Sequence, residues 1–371
     1  MSEKGLREIN AADTKISDID GDTGRLWYVG YEIGDLAAHA SFEETIYLLH
    51  KLDLPNRQQL QQLKTFLVRE RELHPVLARL MPTLAQNASP MSMLRTGLSA
   101  SSAFDPDGWD VSPEAEYRKA LRLIAETPTL IATFDRLRTG REVIPPNPEL
   151  SHAGNLLWML HGDEPDPDDA KVLDTTFVLY ADHTMNASTF TARVIASTLS
   201  DMFSAITGAI GALKGPLHGG ANEESQKMAE EVGKPENAEA YVRERLANHE
   251  KIMGFGHAVY RTMDPRARIL KELCRQLGER REQPQWYEIF SALEETTLEQ
   301  KGLYPNVDLY AAGVYHMLGI PTDLMTPIFA LARMVGWTAH VREQYANNRI
   351  IRPGSEYIGP RDRTYVPLDE R

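Results

Sequence analysis

The sequence predicts an all-α fold with a small β-hairpin region at its start. Three observations carry that prediction. After Asp35, apolar residues recur at three- and four-residue spacing almost to the end of the chain. Helix-start signals stand directly ahead of those runs. Few long alternating stretches compete as strands, which argues against an α/β sheet protein.

The elements follow in order. "ISDIDGDTGRLWYVGYEI" (Ile16 to Ile33) has short alternating stretches broken by glycines and reads as one or two small hairpins. "SFEETIYLLHKL" opens with Ser41 as N-cap and Glu44 three residues on, a capping box. "NRQQLQQLKTFLVRERE" and "HPVLARLMPTL" continue with helical spacing, and "SPEAEYRKALRLIAETPTLIATFDRLRTG" is a further helical stretch that a proline interrupts. Between Asn186 and Pro216 the chain is rich in Ala, Ser, Thr and Gly and poor in charge, which predicts two tightly packed helices. That pairing fits an ordinary buried helix pair and a subunit interface equally well. Gly215-Pro216 then breaks the chain and marks a domain junction. Charged helices run to about Lys301, an apolar helix follows in "PTDLMTPIFALARMVGWTAHVREQY", and the proline-bearing tail "RIIRPGSEYIGPRDRTYVPLDER" is extended. There is no internal repeat and no low-complexity segment.

Composition narrows the function classes. The 371 residues are 42% hydrophobic and 25% charged, enough apolar mass for a large core and two or three domains. A formal net charge of -13, with no long basic block, argues against a nucleic-acid partner. Binding an anionic substrate would require locally concentrated cations. Cys274 is the sole cysteine, so neither an intramolecular disulfide nor a cysteine-based zinc site is expected. The start "MSEKGLREIN" lacks an apolar signal core and no apolar stretch approaches a membrane span; we expect a cytoplasmic protein with no membrane association.

The candidate chemistry gathers in a few segments. In "MGFGHAVYRTMDPRARILKE" (Met253 to Glu272), glycines flanking Phe255 let a ligand approach the backbone next to His257, and Arg261 and Arg266 follow as cations for an anion. Asp264 is the N-cap and Pro265 the first residue of a helix, so Arg266 lies in the first turn. A cation there opposes the helix macrodipole unless it shares an anion with the helix terminus. In "GPLHGGANEESQKMAEE", His218 sits at or beside a helix N-terminus, which disfavours imidazolium and makes it a neutral donor, or else a simple capping residue. Asp308, in "YPNVDLYAAGVYHMLGIP", lies in the opening turn of an Ala-rich helix, where its carboxylate stays ionised and can act as a base; the alternative is that Asn306 or Asp308 only caps the helix. His183 precedes a turn with Asn186 and Ser188. Arg333, on an apolar helix, is costly unless an anion pairs with it. Arg352, in the tail, has a solvated arginine as its simpler reading. Taken together, several arginines, two neutral donors and one ionised aspartate fit a carbon–carbon condensation between an enolised carbonyl compound and a keto-acid. No "HExxH", "GxSxG" or "GxxxxGK[ST]" motif is present.

The ordered set "IDGDTGRLWYVGY", "DHTMNASTF", "GPLHGGANEE", "GFGHAVYRTMDPRA", "NVDLYAAGVYHMLGIPTDLMTPIFALARMVGWTAH" and "IIRPGSEYIGP" resembles citrate synthase of the shorter archaeal and bacterial type, over nearly the whole chain after about residue 15. The resemblance implies a two-domain, mainly helical homodimer. Its large domain would span 1–218 and 322–371, its small domain 219–321, with a hinge near Gly215-Pro216 and the small-residue helices at the dimer interface. It implies that Asp308 removes a methyl proton from acetyl-CoA, that His218 stabilises the enol or enolate, and that His257 polarises and protonates the oxaloacetate ketone. His183, Arg266 and Arg333 match substrate-carboxylate ligands, and Arg352 matches an arginine contributed by the neighbouring subunit. Lys251, Ile252, Met253, Gly254 and Phe255 match the segment that holds the adenine end of CoA, and Arg261 a basic residue near the CoA phosphates. The implied activity makes citrate and CoA at the entry of the tricarboxylic acid cycle, with CoA as a substrate, no permanently bound cofactor and no metal. Two other readings stand beside it: 2-methylcitrate synthase acting on propionyl-CoA, and a non-catalytic CoA- or dicarboxylate-binding protein, against which His218, His257 and Asp308 argue together.

Overall fold

The computed structural model describes residues 9–216 and 218–371. The alternating start forms a three-stranded antiparallel sheet in the order β1 (Ser17–Asp20), β2 (Arg25–Tyr28) and β3 (Tyr31–Glu32). Its register pairs Ser17 with Tyr28 and Asp20 with Arg25, which turns Leu26 and Tyr28 into the core. The Asp20 carboxylate closes the β1–β2 turn by accepting the Asp22 and Thr23 N–H groups at 2.9 and 3.0 Å.

The other main elements among the described residues are helices. The first group is α1 (Ile33–His39), α2 (Phe42–Lys51), α3 (Arg57–Arg69), α4 (Pro75–Asn87), α5 (Pro90–Ser101) and α6 (Pro113–Arg138). The middle of the chain gives α7 (His152–His161), α8 (Pro167–Tyr180), α9 (Ala187–Ser197) and α10 (Met202–Leu213). Then come α11 (Ala221–Val232), α12 (Ala238–Ala247), α13 (Pro265–Arg280), α14 (Pro284–Lys301), α15 (Val307–Met317) and α16 (Met325–Ala346). The capping box at Ser41 and Glu44 is complete in both directions, and Asp264 caps α13 with Pro265 as its first residue. One expectation fails. Pro128 does not interrupt its helix: α6 runs unbroken from Pro113 to Arg138. An internal proline costs about 3 kcal/mol, but almost every side chain from Leu121 to Arg136 is buried, and packing on both flanks outweighs that penalty.

The α9–α10 pair packs as closely as its composition predicts. A Cβ at Gly208 would lie 3.3 Å from Thr191 Cγ2 and collide with Ile195. Both helices lean on α16, which is buried along nearly its whole length and also packs on α6 and α8. The decisive join lies between α8 and α9. There the Gly336 N–H of α16 donates to the Ala181 carbonyl at 3.0 Å, and the Tyr28 hydroxyl bridges the Asp182 carbonyl at 2.8 Å and its N–H at 3.0 Å. The fully buried Asp182 carboxylate accepts the Ser17 hydroxyl and, at 3.0 Å, the Thr184 N–H, with His340 Nε2 3.3 Å away. Burial alone would raise its pKa; His340, Arg333 and Ser17 hold it below the ordinary carboxylate range instead.

Helix α16 approaches this join only because residue 336 has no side chain. A Cβ there would lie 2.5 Å from the Ala181 carbonyl oxygen and closer still to the Asp182 carboxylate. Gly336→Ala should therefore lower stability by about 1–3 kcal/mol, against the slight gain usual for Gly→Ala inside a helix. Chemical denaturation checks this, and a variant as stable as the parent would contradict the packing described.

Candidate active site

Two segments place His257 and Asp308, and the backbone fastens them together. Residues 254–256 pair with 304–306: the Gly256 N–H donates to the Tyr304 carbonyl at 2.9 Å and the Asn306 N–H to the Gly254 carbonyl at 2.9 Å. The Asn306 side chain adds a bond to the Gly256 carbonyl at 3.1 Å. Gly254 has φ +79°, and a Cβ on it would lie 2.7 Å from Ser225 Oγ and 3.0 Å from Leu309 Cα. The glycines thus let the chain ahead of His257 lie against the start of α15, which carries Asp308. Asn306 is the N-cap of α15, accepting from the Asp308 N–H at 3.0 Å, so the Asp308 carboxylate is released from capping.

His257 is held from behind. Its Nδ1 accepts the Val259 and Tyr260 N–H groups at 2.9 and 3.1 Å, so the neutral ring carries its proton on Nε2 and is a donor there. The β1–β2 turn supports that loop: the Gly21 carbonyl accepts the Arg261 N–H at 2.9 Å, and a Cβ on Gly21 would lie 3.0 Å from the Val259 carbonyl carbon.

His183, His218, His257, Arg266, Asp308 and Arg333 line one pocket of about 880 Å³. The rings of His183 and His257 meet edge to face with centroids 5.1 Å apart, and the Tyr260 hydroxyl lies 3.3 Å from His183 Nε2. His218 Nε2 sits 2.9 Å from Ser188 Oγ, whose hydroxyl also meets Asn186 Oδ1 at 2.7 Å and accepts from Trp337 Nε1 at 3.0 Å. Arg266 makes a two-pronged pair with Asp264, at 3.0 and 2.7 Å. Arg333, 2% exposed, donates from Nε to the Tyr180 carbonyl at 2.7 Å; among the described residues its other guanidinium nitrogens bond to no protein group.

Burial sets the protonation states. It drives His183 well below the ordinary histidine pKa, with Arg266 adding to the effect. Burial with Arg333 lowers His218 to about 4, and burial with Arg266 lowers His257 to about 4. All three are neutral at pH 7. Burial also raises Asp308 to about 6, although the Tyr180 hydroxyl, Arg266 and Arg333 pull the other way. Burial, where the sequence points to a helix terminus, is thus the leading cause at both residues. His218 stands three positions ahead of α11 and is neutral mainly because it is desolvated, and desolvation outweighs the α15 terminus at Asp308. Asp308 nevertheless remains mostly ionised at neutral pH.

The other expected residues divide into two sets. Lys251, Ile252, Met253, Gly254 and Phe255 also line the pocket. Arg261 does not: it is exposed and pairs with Asp22 at 3.1 Å. Arg352 lies exposed in the extended tail, outside the pocket lining of its own chain. Tyr180 and Tyr260, which carry no local signal in the sequence, join the site, and Asp264, expected as a cap, is also the counterion of Arg266. Donor atoms of His183, His257 and Asp264 come within 4.8 Å of one another. Asp264 has both oxygens on Arg266, however, and a cation there would face the Arg266 and Arg333 guanidinium groups. The set therefore suits an anion. One ionisable base, neutral imidazole donors and an unsatisfied guanidinium in a desolvated pocket can take a proton beside a carbonyl while holding a carboxylate.

Comparison with known proteins agrees. Residues 5–354 match the family described as citrate synthase, C-terminal domain. Citrate synthase 2 of Bacillus subtilis is 48% identical over 369 residues, covering 99% of each chain. 2-Methylcitrate synthase 1 of Corynebacterium glutamicum is 40% identical over 375 residues, covering 99% of this chain and 98% of its own. The structure of Thermoplasma acidophilum citrate synthase in ternary complex with carboxymethyl coenzyme A and oxaloacetate superposes with a TM-score of 0.93 at 33% identity, covering 99% of both chains. With matches of this extent on a helical fold that gathers the motif residues into one pocket, the chain belongs to the citrate synthase family.

Proposed function

We propose that this protein condenses acetyl-CoA with oxaloacetate and hydrolyses citryl-CoA to citrate and CoA. The observation that carries the proposal is Asp308, raised to about 6 yet ionised at neutral pH, sharing one pocket with neutral His218 and His257. Asp308 takes a methyl proton from the thioester. A thioester α-proton is far less acidic than a carboxylic acid, so the step depends on stabilising the developing oxyanion, the role of His218. The enolate carbon attacks the oxaloacetate ketone, polarised by the Nε2–H of His257; that proton passes to the new alkoxide, the attacking water of the hydrolysis returns one to His257, and the departing CoA thiolate takes the proton that Asp308 held. His183, Arg266 and Arg333 hold the oxaloacetate carboxylates. The segment Lys251 to Phe255 lines the pocket where the adenine end of CoA would rest; Arg261, outside that lining and paired with Asp22, would have to leave Asp22 to meet the CoA phosphates. Water then hydrolyses citryl-CoA.

The pocket lies between residues 1–218 with 322–371 and residues 219–321, which we take as a large and a small domain closing over the substrates and excluding water. We also propose a cytoplasmic homodimer in which Arg352 enters the partner's pocket and the α9–α10 pair lies at the interface. The exposed tail supports this, since Tyr357, Ile358 and Tyr365 are 59%, 92% and 77% exposed and present apolar surface for another chain.

The direct test follows free thiol on mixing the protein with oxaloacetate and each acyl-CoA. Release with acetyl-CoA at the higher specificity constant is expected. Faster turnover of propionyl-CoA would assign the 2-methylcitrate reaction, and no release with either would reduce the protein to a binding module. Asp308→Asn should keep oxaloacetate binding, measured by calorimetry, and lose turnover on the order of 10²–10⁴-fold; near-normal turnover would remove it as the base. To test the shared site, inactive Arg352→Ala and Asp308→Ala proteins are mixed under subunit exchange. A mixed dimer then holds one site with both lesions and one with neither, so about a quarter of wild-type activity should return. If native mass spectrometry shows exchange and no activity returns, Arg352 does not act across subunits.

A further inference from the structure

We propose that Tyr180 is a positioning residue for Asp308: its hydroxyl fixes one carboxylate oxygen, leaving the other to take the substrate proton, while its carbonyl fixes Arg333. The inference rests on the reading of Asp308 as the base and adds a residue that lies outside the pocket lining.

Tyr180 is the last residue of α8 and is fully buried. Its hydroxyl lies 2.9 Å from Asp308 Oδ1 and 3.3 Å from the Val307 carbonyl. A phenol has one proton, and the shorter bond to the ionised acceptor takes it. Burial, then the Asp308 charge, keeps the phenol protonated far above neutral pH, so the donor is permanent. Phe329 packs edge to face on its ring at a centroid distance of 4.7 Å and fixes its plane. The same residue's carbonyl accepts Arg333 Nε at 2.7 Å. One residue therefore sets both the orientation of the base and the direction of a buried cation.

Other groups also act on Asp308. Tyr315 belongs to α15 itself, Arg266 comes from α13 and Asp264 from its N-cap, and Arg333 comes from α16. The loop histidines His183, His218 and His257 line the same pocket and are neutral. Burial raises Asp308, and Tyr180 is the hydrogen-bond donor that acts against it, ahead of the two arginines. Removing the hydroxyl destabilises the ionised carboxylate selectively, so the base should ionise at higher pH. The Arg333 contact runs through the backbone and stays in place.

The test is the pH profile of kcat/KM for acetyl-CoA. In the parent protein the acid limb should fall near the Asp308 value of about 6. In Tyr180→Phe it should move up by about one unit or more, the shift expected on losing a hydrogen bond to a charged group. Activity lost at neutral pH should return at alkaline pH, and oxaloacetate affinity should not change. Placing 3-fluorotyrosine at position 180 keeps the shape, strengthens the donor and should move the limb the opposite way. It also preserves the test if Tyr180→Phe does not fold. An unmoved acid limb with Asp308→Asn inactive would overturn the role of Tyr180 alone. Full turnover in Asp308→Asn would overturn the base and Tyr180 together.

Discussion

The buried Asp182 carboxylate is the anchor on which the pocket depends. It sits where α8 ends and α9 has not begun, so the backbone there has lost the helical hydrogen-bond ladder. Ser17 from β1, His340 from α16 and the Thr184 N–H converge on it. A carboxylate without such partners would cost several kcal/mol on burial. The same join places Tyr180 on one side and His183 on the other. The sheet, α8 and α16 meet at this point and hold the break in shape, and α16 also brings Arg333 to the pocket.

Desolvation then does the chemical tuning. Burial is the leading cause of the shifts at His183, His218, His257 and Asp308 alike. It acts in opposite senses on the two residue types: it removes the charge from the imidazoles and weakens the charge on the carboxylate. The arginines reinforce the first effect and moderate the second. Their own charges are managed differently. Arg266 is neutralised by Asp264, whereas Arg333 lines the pocket and, among the described residues, pairs with no carboxylate. A dicarboxylate would complete that arrangement, and the neutral donors would then act in a dry, low-dielectric space where hydrogen bonds are strongest.

Much of this was legible in the sequence because the signals were local. The Ser41 capping box, the Asp264-Pro265 helix start and the close packing of the small-residue pair α9–α10 are read from residues a few positions apart, and all take the form expected. What escaped depends on contacts distant in the chain. Tyr180 looks like any apolar-face tyrosine until α15 brings Asp308 to it, 128 positions later. The leading part that burial plays at His218 and Asp308 is a property of the assembled pocket, not of either segment. Pro128 was misread for the same reason, since its local penalty is visible while the packing that outweighs it is not.

The loop bearing His257 and the start of α15 bearing Asp308 are fastened together by hydrogen bonds between residues 254–256 and 304–306. That coupling has a purpose only if His257 is a fixed, neutral donor. Histidine-selective ¹⁵N NMR across pH measures this directly. The expected result is a His257 ring that stays neutral with its proton on Nε2 from neutral pH down to about 4. A His257 imidazolium, or a proton on Nδ1, near pH 7 would contradict it.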